Sequence, residues 1–288
     1  MSHADQLQDA HYLFTFSCPD RLGILSKVTS LLFEQGCFVT DSFHYGDPQT
    51  EMFFARMVFK LTQDSIESLG EKVKKLADEL DMTFTLRPLS FRPKLLLAVS
   101  KYDHCLNVLL TKWRSGALPM DIVGVVSNHE DCRGLVEWYG IPYHYLPVTK
   151  DTKPAQEAQI LALMDEHDVE LLVLARYMQI LSDDLCKALG GRAINIHHSF
   201  LPGFKGARPY HQAHDRGVKI IGATAHYVTS DLDEGPIIVQ EVKFINHTFT
   251  AQDMVLVGHD TESTALSSAV RMHCEGRVFM NGNRTVIL

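Results

Sequence analysis

The feature that most constrains the fold is a change in the spacing of hydrophobic residues near residue 90. Before this point, apolar residues alternate with polar ones or recur at helical spacing. After it, they form short unbroken runs that are separated by helical segments. Strands with one buried face alternate, whereas strands of a parallel sheet covered on both faces are apolar throughout. The chain of 288 residues therefore predicts two domains, over residues 1–90 and 91–288.

The first predicted domain contains four short strands and two helices in the order β-α-β-β-α-β. The first helix follows a turn at residues 18–23 and stops near Gly36, and Asp64 or Ser65 caps the second. The elements are predicted near residues 12–17, 24–32, 37–45, 52–60, 66–80 and 82–86. This order is that of a ferredoxin-like α+β fold.

The second predicted domain alternates buried strands with helices, which is typical of a doubly wound α/β fold. Its strands are predicted at residues 94–100, 121–127, 171–175, 193–197, 221–228 and 237–242. A long helix is predicted over residues 250–275, with Thr250 and Asp253 as its capping box.

Composition limits the kinds of partner. Lys and Arg number 27 against 35 Asp and Glu, and no basic stripe is visible, so we expect no nucleic-acid partner. No apolar run approaches the length of about 20 residues that crosses a bilayer, so we expect no membrane partner. The polar N-terminal segment lacks a signal-peptide pattern, and the six cysteines form no C-x-x-C pair. We therefore expect a cytoplasmic protein with reduced thiols.

Two polar segments of the second domain carry the candidate chemistry. Asn195 and His197 are two residues apart on a predicted strand, so their side chains share one face at its carboxyl end. Asp233 lies in the polar loop 231–236 that follows a later strand. An amide, an imidazole and a carboxylate that converge there suit acyl transfer. The alternative is that these are ordinary hydrogen-bonding residues and that Asp233 stabilises a turn.

A metal centre is the other chemical interpretation, because the chain has fifteen histidines. His211 and His214 are three residues apart, and His197, His198, His226 and Asp233 could be imagined as further ligands. However, the chain has no H-E-x-x-H motif and no Cys/His block, which are the patterns that make a metal site specific. We expect no metal.

The segment Asn195-Ile196-His197, with Ser199 and Leu201-Pro202, resembles the active-site strand of the formyltetrahydrofolate-utilising transformylases and hydrolases. Leu232-Asp233-x-Gly235-Pro236 is similar to their catalytic aspartate loop. The resemblance implies that Asn195, His197 and Asp233 are catalytic. Residues 174–181 resemble the segment whose backbone holds the pteridine ring, although a plain strand-to-helix junction would also explain them. The implied substrate-binding residues are Met178, Gln179, Ile180, Leu181, His198 and Gly235.

Two departures point to the formyltetrahydrofolate deformylase branch. The glycinamide ribonucleotide transformylases carry a glycine-rich turn after their first strand for the substrate phosphate, whereas this chain has Lys101–Cys105 without glycine. His198 stands where transformylases carry proline. The resemblance thus implies hydrolysis of 10-formyltetrahydrofolate to tetrahydrofolate and formate, without a cofactor. It also implies a role in one-carbon balance and formate supply for purine synthesis.

The turn Cys18–Gly23 resembles the ligand loop of ACT domains, which bind small amino acids. The implied effector-binding residues are Asp20, Arg21, Leu22 and Gly23, and glycine and methionine are the leading effectors. A plain turn capped by Asp20 is the alternative. Since ACT-type units often pair their sheets, we expect a homo-oligomer.

Two other functions stay open from the sequence. One is formyl transfer to an unidentified amine acceptor, which would make turnover depend on that acceptor. The other is a catalytically silent folate-binding regulator, which would release no formate.

Overall fold

The computed structural model of the protein describes residues 11–62, 65–201 and 209–288. Its elements form two compact units. Met1–Phe91 and Gly276–Leu288 make the first unit, and Arg92–Glu275 make the second. Both fold classes predicted from the sequence, ferredoxin-like followed by doubly wound α/β, are confirmed.

The first unit is a four-stranded antiparallel sheet that packs against two helices around one apolar core. Its strands lie side by side in the order β2-β3-β1-β4. Alternating aromatic residues such as Phe14 and Phe16 are almost fully buried, and they pack with Leu69 of the second helix. The elements are β1 (His11–Pro19), α1 (Ile24–Glu34), β2 (Cys37–Asp47), β3 (Met52–Leu61), α2 (Ile66–Leu80) and β4 (Thr83–Pro88).

The caps of this unit follow from local chemistry. The Ser65 hydroxyl accepts a hydrogen bond from the Ser68 backbone N–H at 3.2 Å and so caps α2. Asp64, the other predicted cap, lies outside the described residues. Gly23 precedes α1 with a φ of 91°, a left-handed conformation that favours glycine.

The second unit is built on a seven-stranded sheet in the order β11-β10-β9-β8-β5-β6-β7. The five strands from β9 to β7 run parallel, and β10 and β11 are added antiparallel at one edge. The first half contains β5 (Lys94–Val99), α3 (His104–Arg114), β6 (Asp121–Ser127), α4 (Arg133–Trp138), β7 (Tyr143–Tyr145), α5 (Lys153–Glu166) and β8 (Leu171–Leu174). The second half contains α6 (Asp183–Leu189), β9 (Ala193–His197), α7 (Pro209–Asp215), β10 (Ile220–Tyr227), β11 (Ile237–Phe244) and α8 (Ala251–Cys274).

Helix α8 begins at the predicted capping box. The Thr250 hydroxyl accepts a hydrogen bond from the Asp253 N–H at 3.1 Å, and the Asp253 carboxylate accepts one from the Thr250 N–H at 2.9 Å. No described helix is long and apolar enough to cross a membrane.

The C-terminal hairpin belongs to a different unit from the one expected from the predicted domain boundary at residue 90. Strands β12 (Val278–Asn281) and β13 (Arg284–Ile287) belong to the first unit, although the sequence placed them in the second. Asn281 donates a buried hydrogen bond to the Asp47 carboxylate at 2.6 Å, and the Phe279 ring lies 5.8 Å from that of Phe54. An isolated two-stranded ribbon is only marginally stable in water, and these contacts with β2 and β3 stabilise the hairpin.

Candidate active site

A cavity of about 290 Å³ opens at the carboxyl ends of β8 and β9, and it is here called the catalytic cavity after the predicted catalytic residues that line it. Parallel α/β sheets place ligands at this edge. Of the predicted catalytic and substrate-binding residues, all except Gly235 line the cavity. They are Asn195, His197, Asp233, Met178, Gln179, Ile180, Leu181 and His198.

His197 and Asp233 form the central contact. Nδ1 of His197 lies 3.1 Å from Oδ2 of Asp233, and the imidazole is buried. Hydrogen bonds from His197 and then from His226 hold the pKa of Asp233 well below its usual range, and they outweigh the effect of burial. Asp233 is therefore a carboxylate at neutral pH. Nε2 of His197 is buried without a hydrogen-bond partner among the described residues, so it can serve a ligand.

His226 belongs to this arrangement, although the sequence suggested it only as a possible metal ligand. It lies directly opposite Asn195 in the pairing of β10 with β9. Its Nδ1 donates to the Tyr227 carbonyl at 2.9 Å, and its Nε2 lies 3.3 Å from the Asn195 amide nitrogen. The same Nε2 lies 3.7 Å from Asp233 Oδ1. The sequence signal that could have indicated this role is a histidine within the apolar strand that precedes the Asp233 loop.

The Asp233 loop has a strained backbone. Asp233 adopts a φ of 58°, in the left-handed region that costs a non-glycine residue about 1–3 kcal/mol. Gly235 fixes the loop from outside the cavity wall, because a Cβ there would lie 1.7 Å from the Tyr227 carbonyl oxygen. The Tyr227 N–H donates to the Pro236 carbonyl at 2.9 Å in the same region. Gly235 thus constrains the backbone of the Asp233 loop and is not among the residues that line the cavity, whereas the sequence implied that it binds substrate.

The predicted pteridine segment contributes apolar side chains to the cavity. Met178 and Ile180 line it and are 53% and 62% exposed, so they can cover a flat aromatic ring. The Met178 N–H already donates to the Ser100 hydroxyl at 2.9 Å, which leaves backbone recognition to other residues of the segment. His198 stacks on His197 with ring centroids 5.0 Å apart.

Two parts of the sequence hypotheses are separate from the cavity. Leu201 donates its N–H to Thr224, but Pro202 and the residues up to Gly206 lie outside the described part of the chain.

Among the described residues, the one group with metal-ligand spacing is His104, Cys105 and Glu262. Neither His211 nor His214 is part of it.

The predicted effector loop, residues 20–23, borders a cavity of about 880 Å³ in the first unit. Leu22 is fully exposed, and Arg21 is held by Asp81 at 3.1 Å. Gly23 is the residue before α1, and no side chain caps this helix. The plain-cap interpretation of Asp20 is thus not what the structure has, since no described side chain caps the N-terminal N–H groups of α1, which are groups that attract an anion.

Two protein-family models match the chain. Residues 93–270 match the model described as formyl transferase, and residues 11–87 match the model described as an ACT domain.

Several full-length relatives are similar to the chain. A formyltetrahydrofolate deformylase of Corynebacterium sp. (strain P-1) is 50% identical over 98% of this chain and 99% of the relative. The one from Bacillus subtilis is 44% identical over 94% of this chain and 91% of the relative. The crystal structure of the deformylase from Burkholderia mallei has a TM-score of 0.94 at 46% identity, and it covers 97% of this chain and 99% of that one.

We predict that Gly235→Ala lowers both stability and turnover, because its Cβ meets backbone and cannot be accommodated by a side-chain movement. Overpacking of this kind costs about 1–3 kcal/mol, and displacement of Asp233 should reduce kcat by roughly a hundredfold. Thermal unfolding and steady-state kinetics measure the two effects.

Gly134→Ala is the matched control, since Gly134 lies in α4 and a Cβ there meets nothing within 4 Å. It should keep wild-type turnover and unfold at the same or a higher temperature. Normal kinetics for Gly235→Ala would contradict the positioning role.

Proposed function

This chain belongs to the formyltetrahydrofolate deformylase family, and on that premise we propose that it hydrolyses 10-formyltetrahydrofolate with Asn195, His197 and Asp233 as its catalytic residues. The products are tetrahydrofolate and formate. The observation that carries the residue assignment is the His197–Asp233 contact of 3.1 Å in a cavity that Asn195 also lines.

The formyl oxygen binds between Asn195 and His197. In the imidazolium form of His197, the Nδ1–H donates to Asp233, and the Nε2–H, which has no partner among the described residues, donates to the formyl oxygen. When water adds to the formyl carbon, the oxygen becomes negative and both donors strengthen their hold on it. The charge of Asp233 stabilises the imidazolium form of His197 throughout this step.

Asp233 also orients the attacking water. The proton that water loses is passed through this carboxylate to N10, and the C–N10 bond breaks to release formate. Since the pKa of Asp233 is held far below its usual range, its larger contribution is fixed negative charge and orientation rather than basicity. His226, on the neighbouring strand β10, contacts both the Asn195 amide and Asp233 and so keeps them in position. The mechanism uses neither a metal nor a nucleotide cofactor.

The first unit is proposed to bind a small amino acid that changes turnover, with glycine and methionine as the leading candidates. The match to an ACT domain and the open N-terminal end of α1 beside Gly23 support this function. A homo-oligomer is supported by the edge strand β2, whose Phe38 and Phe43 are exposed. The cytoplasmic location stays a prediction from the sequence.

We predict that the purified protein releases formate from 10-formyltetrahydrofolate with no amine present and after treatment with a chelator. Water is the acceptor in the proposed reaction, and none of its steps uses a metal. Formate is measured with a coupled assay, with and without glycinamide ribonucleotide. Strict dependence on that amine would establish the transferase alternative, and no formate under any condition would establish the silent regulator.

Asp233→Asn is expected to lower kcat by at least about a thousandfold, because water and the imidazolium both lose the carboxylate while the side chain keeps its size. Folate affinity should change little, since the ring is expected to be held mainly by residues 179–181. Stopped-flow kinetics and titration with a non-hydrolysable folate separate the two quantities. Near-normal turnover would reduce Asp233 to a turn residue, and loss of folate binding would make it a binding group.

Binding of the amino-acid effector should depend on the left-handed turn at Gly23. Isothermal titration of the intact protein with glycine and with methionine should detect binding that shifts folate affinity by roughly 5- to 150-fold. Gly23→Ala, which strains a φ of 91°, should weaken this binding. Gly70→Ala is the control, because Gly70 lies within α2 in open space. Absence of binding by either amino acid would remove both from the sensing hypothesis.

A further inference from the structure

Residues 177–181, here called the binding segment, line the catalytic cavity but form neither a helix nor a strand. Among the described residues, the backbone N–H groups of Gln179, Ile180 and Leu181 have no hydrogen-bond partner. These groups are therefore available to a ligand in the cavity. A segment that leaves its own polar groups unpaired has to be held in shape by contacts at its two ends.

The start of the binding segment is held by α5 and by the end of β5. Tyr177 is buried, and its hydroxyl accepts a hydrogen bond from the side-chain amide of Gln156, near the start of α5. The Met178 N–H donates to the hydroxyl of Ser100, the residue after β5, at 2.9 Å. That hydroxyl donates in turn to the Asn128 side chain at 2.7 Å. The first two residues of the segment are thus fixed to the sheet and to α5.

The end of the binding segment is held by one carboxylate. Ser182 follows the segment and is the N-cap of α6, where its hydroxyl accepts a hydrogen bond from the Leu185 N–H at 3.2 Å. The Ser182 N–H donates to Oε1 of Glu157 at 2.9 Å, and its hydroxyl donates to Oε2 of the same carboxylate. Glu157 therefore fixes both the end of the segment and the start of α6.

Gln156 and Glu157 occupy a face of α5 that is otherwise apolar. Together with Ile160 and Met164 they are the buried residues of this helix, and they recur at helical spacing. Ile160 and Met164 pack in the same apolar cluster as Leu172 of β8, which fixes the helix against the sheet. Gln156 and Glu157 are 5% and 7% exposed, and neither lines the catalytic cavity. They can therefore influence a bound ring only through the binding segment.

The conformation of the binding segment before a ligand arrives affects affinity. Backbone without internal hydrogen bonds loses conformational freedom when it binds a ligand, and that loss weakens binding unless the backbone is already ordered. The proposed reacting groups, Asn195, His197 and Asp233, lie outside the segment. Loosening the segment should therefore weaken binding of the ring much more than it slows the chemical step.

We propose that Gln156 and Glu157 are positioning residues that hold the binding segment in the conformation that receives the folate ring. Gln156 holds its start through Tyr177, and Glu157 holds its end through Ser182. Because Glu157 accepts two hydrogen bonds from Ser182, its removal should have the larger effect. This role rests on the proposed function, in which the segment binds the substrate.

Glu157→Ala tests the role with tetrahydrofolate, the reaction product, which binds without being hydrolysed. Isothermal titration should show its dissociation constant rising at least about tenfold, because the end of the segment is no longer ordered before binding. The KM for 10-formyltetrahydrofolate should rise by a similar factor, whereas kcat should stay within about threefold of the wild-type value. Unchanged tetrahydrofolate binding by the folded variant would overturn the role of Glu157.

Ser267→Ala is the matched control, because it also removes a buried polar group of the second unit. The Ser267 hydroxyl accepts a hydrogen bond from Lys112 at 2.7 Å, and neither residue lines the catalytic cavity. This variant should unfold at a lower temperature and bind tetrahydrofolate as the wild type does. Equal losses of affinity in Ser267→Ala and Glu157→Ala would make the effect a consequence of lower stability and would overturn the proposal.

Gln156→Met tests the other end of the segment and guards against a Glu157 variant that does not fold. Methionine keeps roughly the length of the side chain and is apolar, as the neighbouring face of α5 is, but it cannot donate to Tyr177. The dissociation constant of tetrahydrofolate should rise at least about threefold, again with little change in kcat. Unchanged affinity would overturn the role of Gln156.

A double-mutant cycle tests whether Glu157 acts through Ser182. Since Glu157→Ala already removes both hydrogen bonds to Ser182, adding Ser182→Ala should weaken tetrahydrofolate binding by less than the product of the two separate losses. A loss equal to that product would show independent action and would overturn the proposed connection.

The outcome for positioning is separate from the outcome for hydrolysis. A wild-type protein that binds tetrahydrofolate but releases no formate would refute the proposed hydrolysis, and the comparison of variants by titration would still stand. Conversely, normal formate release with unchanged KM in both Glu157→Ala and Gln156→Met would overturn the positioning role and leave the hydrolysis intact.

Discussion

The antiparallel pairing of β9 with β10 is the constraint on which the site depends. Its register sets Asn195 opposite His226 and His197 opposite Thr224. A shift of one residue would turn every side chain of a strand to the other face. The buried apolar residues between them, such as Ile196 and Ala225, prevent this shift because they must stay inside. Core packing thus determines which polar groups meet in the cavity.

Two carboxylates of the second unit, Asp233 partly buried and Glu262 fully buried, differ in what surrounds them. Asp233 is held by two histidines at the edge of a cavity, and His197 keeps a free nitrogen for a ligand. Glu262 has zero exposure and contacts an arginine, a histidine and a tyrosine, so it has no room for substrate. Asp233 thus faces a cavity that a ligand can enter, whereas Glu262 is enclosed by protein groups.

Local patterns predicted most of the fold and the part of the site that lies on one strand. Unbroken apolar runs indicated the parallel strands, and the two-residue spacing placed Asn195 beside His197. The contribution of His226 was missed because it depends on strand register, and that of Arg176 because its partner Glu262 is 86 residues away. Residues 276–288 were included in the second predicted domain, because periodicity does not reveal which unit a short C-terminal segment packs against. Local propensity predicted the helices and strands. The features that the sequence analysis missed depend on contacts between residues that are far apart in the sequence.

A buried ionised carboxylate is costly to desolvate and is a weak means of stabilising a fold. Glu262 is compensated by the Tyr210 hydroxyl, the His104 ring and the Arg176 guanidinium, and of these groups Arg176 also lines the cavity. Arg176, with a φ of 65° in the left-handed region, holds its guanidinium 3.3 Å from that carboxylate, so local backbone strain accompanies the compensation of the buried charge.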